Sequence, residues 1–162
     1  MELRKDYLLN RWTIISERRA KRPNQFNNEE VAKLASCVFC AGREEETPPE
    51  VFRVEEDGKW KIRVIPNLFK AVENEGNPVI QTHNLYYTFA TGFGDHEIII
   101  ETPSHRKSFG SLSINEIRDI LKVYSTRINE LESRPAIKYA LLFKNQGGEA
   151  GASIDHAHSQ IV

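Results

Sequence analysis

Gly151-Ala-Ser-Ile-Asp-His156-Ala-His158-Ser-Gln160-Ile-Val162 is the stretch on which the reading of this chain turns. A β-strand sends alternate side chains to opposite faces, so a strand here puts His156, His158 and Gln160 on one face. Two imidazoles and a carboxamide suit a surface holding a nucleophile, a metal ligand and a phosphate-binding amide better than a packed core. An isolated His-x-His on a strand is more often a hydrogen-bonded or solvated pair, so the neighbouring sequence has to decide. The segment before it, Asn145-Gln-Gly147-Gly148-Glu-Ala-Gly151-Ala-Ser153, carries three glycines and a serine. Glycine lets a backbone approach an anion and turn its amides toward it. An ordinary hairpin loop accounts for the same composition.

Outward from that stretch, the pattern is one of strands interrupted by a single helix. Residues 139–143 read as the strand before the glycine loop, and His96-Glu-Ile-Ile-Ile-Glu101 as an apolar strand. Between them, Ser113-Ile-Asn-Glu116 is a capping box, followed by Ile114, Ile117, Leu121, Tyr124, Ile128 and Leu131 at helical spacing. Arg134-Pro135 ends that helix. Nearer the N-terminus, residues 12–15 read as a first strand, and residues 51–54 and 60–65 as a strand pair around Asp57-Gly58. Residues 66–94 show little periodicity and read as irregular chain over the sheet. Strands, one amphipathic helix and strands again predict an α+β fold with an antiparallel sheet.

The chain of 162 residues is the size of one domain with a real core, and its 40% hydrophobic and 28% charged residues are those of a globular protein. A net charge of −1 supplies no long-range field for nucleic acid or an acidic membrane, so neither is an expected partner. No run is long enough to cross a bilayer and Met1-Glu-Leu-Arg-Lys-Asp6 lacks a signal-peptide pattern, which makes the cytoplasm the expected compartment.

Only two cysteines occur, in Cys37-Val-Phe-Cys40, which is no disulfide framework. The spacing fits two ligands of a tetrahedral zinc site, and it equally fits a redox motif. A redox Cys-x-x-Cys opens a helix, and Gly42 and Pro48-Pro49 argue against a long one here. Among the histidines, His83 lies in a polar stretch and reads as exposed. His96 opens a strand beside Glu97 and reads as a hydrogen-bonded core residue, with metal ligation as its rival reading.

The order Asn-x-Gly, Gly-x-Ser, His-x-His-x-Gln resembles the active-site segment of the galactose-1-phosphate uridylyltransferases, the nucleotidyl-transferring branch of the histidine-triad superfamily. The resemblance runs from Trp12 to Val162 and implies one histidine-triad-like domain, residues 1–162, forming the N-terminal half of an enzyme of two similar halves. It implies a metal site of Cys37, Cys40, His105 and His156, holding zinc, with iron as the alternative. The family often has proline where Val38 stands. It implies His158 as the nucleophile that takes up a nucleotidyl group, and Gln160 as a phosphate-holding amide where hydrolytic relatives carry a third histidine. It further implies that Asn145, Gly147, Gly151 and Ser153 bind phosphate, that Asn67 lies next to the nucleoside, and that Arg19 and Arg22 reach phosphates across a homodimer interface. Without the resemblance, Arg18 to Arg22 would read as a solvated basic turn.

The partners so implied are a nucleotide sugar and a sugar 1-phosphate, with uridylyl transfer as the expected reaction. One departure keeps adenylyl transfer open. Leu68 follows Asn67 where the uridylyl enzymes carry aspartate, and related ADP-glucose and diadenosine tetraphosphate phosphorylases tolerate an apolar residue there. A zinc-stabilised nucleotide-binding module without catalysis is the alternative of another class, and a general hydrolase stands behind it.

Overall fold

The computed structural model describes residues 1–17 and 37–162. In chain order these form β1 (Glu2–Lys5), β2 (Trp12–Ile15), β3 (Phe52–Glu56), β4 (Lys59–Pro66), β5 (Gln81–Asn84), β6 (Tyr87–Thr91), β7 (Glu97–Ile100), α1 (Ile114–Glu132), β8 (Leu142–Phe143) and β9 (His158–Ile161). The main sheet has five strands in the order β3-β4-β7-β9-β8, with antiparallel neighbours throughout. The His-x-His-x-Gln stretch therefore supplies an inner strand, held by β7 on one side and β8 on the other. The fold is α+β with an antiparallel sheet, as the pattern of elements predicts.

Register decides what shares a face. His158 pairs with Ile100 and Ile100 with Arg63, while Gln160 pairs with Ile98 and Ile98 with Ile65. These rows form one face, on which Ile65, Ile98 and Ile100 pack with Cys37, Phe39 and Trp60. The intervening residues Val64, Ile99 and Ile161 turn to the other face and pack under α1 against Leu112, Ile120, Val123, Tyr124 and Leu131. A one-residue slip of β9 would exchange the two sets, so the burial of Ile161 in the helix-side core sets where His158 points.

The strand pair β3–β4 turns at Asp57 and Gly58, both in the left-handed region at φ 51° and 73°, as expected of an Asp-Gly hairpin. The register shifts between Val54 and Glu55, so Lys61 is the extra residue. Lys61 reaches Asp119 of α1 while Trp60 swings to the opposite core. The helix begins as its capping box predicts: Ser113 Oγ accepts from the Glu116 amide, and the Glu116 carboxylate accepts from the Ser113 amide at 2.8 Å.

Its buried stripe differs from the apolar one expected. Ile120, Val123, Tyr124, Arg127 and Leu131 are buried, whereas Ile114 and Leu121 are exposed. The stripe includes a charge, because Arg127 makes a two-point ion pair with Glu97 of β7, Nη2 to Oε1 at 2.6 Å and Nε to Oε2 at 2.9 Å.

The larger correction concerns residues 66–94, expected to be irregular. They contain β5 and β6, which join β1 and β2 in a second antiparallel sheet of order β2-β1-β6-β5. β2 falls at residues 12–15 as expected, but every residue of β5 is exposed, and such a strand carries no inward-outward alternation to read. No helix of the described residues is long and apolar enough to cross a membrane.

Candidate active site and metal centre

Just before β9, His156 is fully buried and donates from Nε2–H to the Thr102 carbonyl at 2.7 Å. That bond fixes the tautomer and leaves the Nδ1 lone pair facing sulfur: Cys37 Sγ and Cys40 Sγ each lie 3.6 Å from it. His105 Nδ1 lies 3.5 Å from Cys40 Sγ. Ligand atoms roughly 2.0–2.3 Å from one tetrahedral ion sit roughly 3.3–3.8 Å apart, so these spacings fit such a centre. All four donor atoms lie within 4.8 Å of one another. Burial pushes the Cys37 thiol up to about 12 and the His156 imidazole down to about 4. A cation at the centre offsets that desolvation by favouring the thiolates and neutral imidazoles that bind it. Cys37, Cys40, His105 and His156 could thus hold a metal ion. His83, exposed on β5, and His96 are not part of this group.

Two residues further, His158 Nδ1–H donates to the carbonyl oxygen of His156 at 2.8 Å. The proton on Nδ1 leaves Nε2 as the nitrogen with the lone pair, and an imidazole in this state can act as a nucleophile or base. The ring is buried, with the edge of Phe39 against it at 5.4 Å between centroids. Below the strand, Lys144 Nζ donates to the His158 carbonyl at 3.0 Å and to Glu101 Oε2 at 2.6 Å. Glu101 is itself buried, and its other oxygen accepts from Tyr124 Oη and Ser159 Oγ, each at 2.5 Å. Burial and the nearby carboxylate push the Tyr124 phenol far up, so it stays a donor. Sequence reasoning passed over Lys144 and Glu101. A charged residue immediately before the glycine loop and one ending an apolar strand were the available signals.

Gln160 lies on the same face as His158, with Oε1 2.9 Å from His96 Nε2 and 3.5 Å from Asn67 Nδ2. The register explains the cluster. The Asn67 amide donates to the His96 carbonyl at 2.8 Å, one step beyond the last β4–β7 pair, so both residues flank Gln160. Leu68 next to Asn67 is exposed. Asn145, Gly147, Gly151 and Ser153 lie on the connection from β8 to β9. Gly147 and Gly151 both have left-handed φ, 79° and 78°, and the Ala152 amide donates to the Gly147 carbonyl, which closes the loop on itself. A Cβ on Gly151 would sit 3.6 Å from Asn145 Nδ2. Arg19 and Arg22 lie outside the described residues.

The whole of this chain matches a known family. Residues 1–162 match the model of the galactose-1-phosphate uridyl transferase N-terminal domain. The chain belongs to the galactose-1-phosphate uridyl transferase family. Within that family, it is 43% identical to an ADP-glucose phosphorylase of Arabidopsis thaliana over 99% of its own length and 48% of the relative's. The crystal structure of an ADP-glucose phosphorylase from Arabidopsis thaliana with bound ADP-glucose superposes with a TM-score of 0.68 at 42% identity, covering 99% of this chain and 48% of that one. A galactose-1-phosphate uridylyltransferase of Thermotoga maritima is 26% identical over 99% of this chain and 46% of its own. A histidine triad nucleotide-binding protein from Sulfolobus tokodaii shares the fold, with a TM-score of 0.52 over 78% of this chain and 67% of that one, at 17% identity. The chain spans about half the length of the family enzymes it matches.

Proposed function

We propose that this chain carries the nucleotidyl-transfer site of an ADP-glucose phosphorylase-like enzyme, with His158 as the nucleophile. The observation that carries this reading is the hydrogen bond from His158 Nδ1–H to the His156 carbonyl, which keeps the lone pair on Nε2. In the first step Nε2 attacks the α-phosphorus of ADP-glucose. A P–N bond forms, the P–O bond to the glucose 1-phosphate bridging oxygen breaks, and glucose 1-phosphate leaves with the electron pair. In the second step an oxygen of inorganic phosphate attacks the adenylyl-histidine, the P–N bond breaks, and ADP is released with His158 restored. Splitting one displacement into two predicts ping-pong kinetics.

Phosphoryl chemistry needs positioning and charge stabilisation. The Gln160 amide, the loop amide of Gly147 and the Ser153 hydroxyl supply donors for the non-bridging oxygens, with Asn145 and Gly151 beside them, the Gly151 amide itself donating to the Gly148 carbonyl. An amide holds phosphate without donating a proton to a leaving group, which favours transfer over hydrolysis. Asn67 adjoins the nucleoside. Cys37, Cys40, His105 and His156 would hold zinc, with iron as the alternative, and four protein ligands would tie the cysteine loop and the His105 loop to the start of β9.

Uridylyl transfer is the reading the motif first suggests. Adenylyl transfer is preferred because Leu68 stands where uridylyl enzymes carry aspartate and because identity is 43% to the ADP-glucose phosphorylase against 26% to the uridylyltransferase. The test is intact mass of the metal-loaded full-length protein under non-acidic conditions after incubation with ADP-glucose or UDP-glucose. An adenylyl adduct on His158 supports the proposal and a uridylyl adduct restores the first reading. Nucleotide binding with no adduct from either would leave a binding module.

A further inference from the structure

His96 is buried at 2% exposure, lies outside the Cys37, Cys40, His105 and His156 group, and takes no part in the two displacement steps. Its contacts form a chain of forced choices. The Ala71 backbone amide lies 2.9 Å from His96 Nδ1, and an amide N–H only donates. Nδ1 therefore carries a lone pair, and the neutral ring has its proton on Nε2. In parallel, the Phe69 amide donates to Asn67 Oδ1 at 2.8 Å, which turns the Nδ2 end of Asn67 the other way. Two backbone amides on the segment after β4 have thus made donors of His96 Nε2 and Asn67 Nδ2.

Both donors point at one atom. His96 Nε2 lies 2.9 Å and Asn67 Nδ2 3.5 Å from Gln160 Oε1; the two nitrogens are 3.1 Å apart and, both carrying hydrogen, cannot accept from each other, so that oxygen is the acceptor they share. The two ends of a carboxamide are nearly alike in shape, and in isolation neither orientation is preferred. Beside two donors, only the orientation with Oε1 inward is satisfied. The NH₂ of Gln160 is then turned away from His96, onto the face shared with His158. A flipped amide would present an acceptor oxygen to an anionic phosphate.

We propose that His96 is a positioning residue that locks the Gln160 amide with its NH₂ toward the phosphate. This rests on the transferase reading above for the identity of that anion. The segment 69–71, through its backbone amides, sets the polarity of an amide on β9 two strands away.

Two measurements on the full-length, metal-loaded protein test it. Long-range ¹H–¹⁵N correlation of ring-labelled histidine is expected to show His96 protonated at Nε2 and bare at Nδ1. The rate of adduct formation from ADP-glucose is then compared for His96→Phe and His96→Gln, each with Gln160 intact and in a Gln160→Leu background. Losing one buried donor slows the intact background by about tenfold. It is expected to change the Gln160→Leu background little, since no amide remains to orient. His96→Gln, which places an amide N–H near the Nε2 position, is expected to recover most of the rate. Equal losses in both backgrounds, or a proton on Nδ1, would overturn the inference. If the unsubstituted protein forms no adduct, the transferase reading fails, and the histidine tautomer by itself decides this one.

Discussion

His156 and His158 are coupled through the backbone: the Nδ1–H of His158 donates to the carbonyl oxygen of His156, while the His156 ring turns its own Nδ1 toward Cys37 and Cys40. The residue whose ring faces the metal site thereby sets the tautomer of the next histidine on that face. A disturbance at the Cys37, Cys40 and His156 group would reach His158 through one peptide unit.

Removing the His158 ring separates chemistry from fold. In His158→Gly, adduct formation is expected to fall by about 10³-fold or more, the scale of losing a covalent nucleophile. The main sheet survives because Ile161 and Ser159 still hold β9 under α1. Intact mass and circular dichroism on one sample check this, and undiminished turnover would refute His158 as the nucleophile.

Removing metal acts on stability first. Cys37→Ser, or chelation of the unsubstituted protein, is expected to release the ion and to cost on the order of several kcal/mol, because metal binding free energy is folding free energy when the site exists only in the native state. Metal content by plasma mass spectrometry and the thermal midpoint should fall together. A midpoint that stays put after the metal has left would show the four ligands to be dispensable.

The ion pair of Arg127 and Glu97 is buried on both sides, at 7% and 6% side-chain exposure. Arg127→Met leaves the Glu97 charge without its partner inside the protein, with an expected cost of about 3–5 kcal/mol in urea denaturation. Adding Glu97→Leu should restore much of that loss. Two independent losses that simply add would mean the pair is not coupled.

Acid unfolding should carry a contribution from the cap of α1. Lys107 and the Ser113 amide lower the Glu116 carboxyl from 4.5 to about 2. A carboxyl depressed on folding stabilises fully above its unfolded value, and that contribution is lost as pH falls through the window from 4.5 toward 2. Glu116→Gln is expected to be about 1 kcal/mol less stable at neutral pH and to converge with the parent near the bottom of that window. A gap between the two proteins that does not change with pH would locate the effect elsewhere.

Much of the fold was legible because its signals are local. Asp57-Gly58 adopts the left-handed pair its chemistry favours, and Ser113 and Glu116 close their box within one turn. The alternation of His156, His158 and Gln160 needs only the two-residue repeat of a strand. Of the second sheet only β2 was legible, and β5 escaped notice because an exposed strand buries no face and so carries no periodic imprint. The helix stripe was misjudged at Ile114 and Leu121 because Arg127 takes a core position, and only Glu97 across the interface makes that position habitable.

By itself, then, the sequence determined where strands alternate, where the helix starts, and which residue types meet at the His-x-His-x-Gln face, since dihedral preferences and short-range hydrogen bonds are written in neighbouring residues. Tertiary structure alone decided that four donors from three separate segments converge within 4.8 Å. It also decided that Lys144 holds the His158 carbonyl, and that His96 faces Gln160 rather than the metal group. Those choices depend on cross-strand register and on which backbone amide meets which ring nitrogen, distances that exist only once the strands have paired.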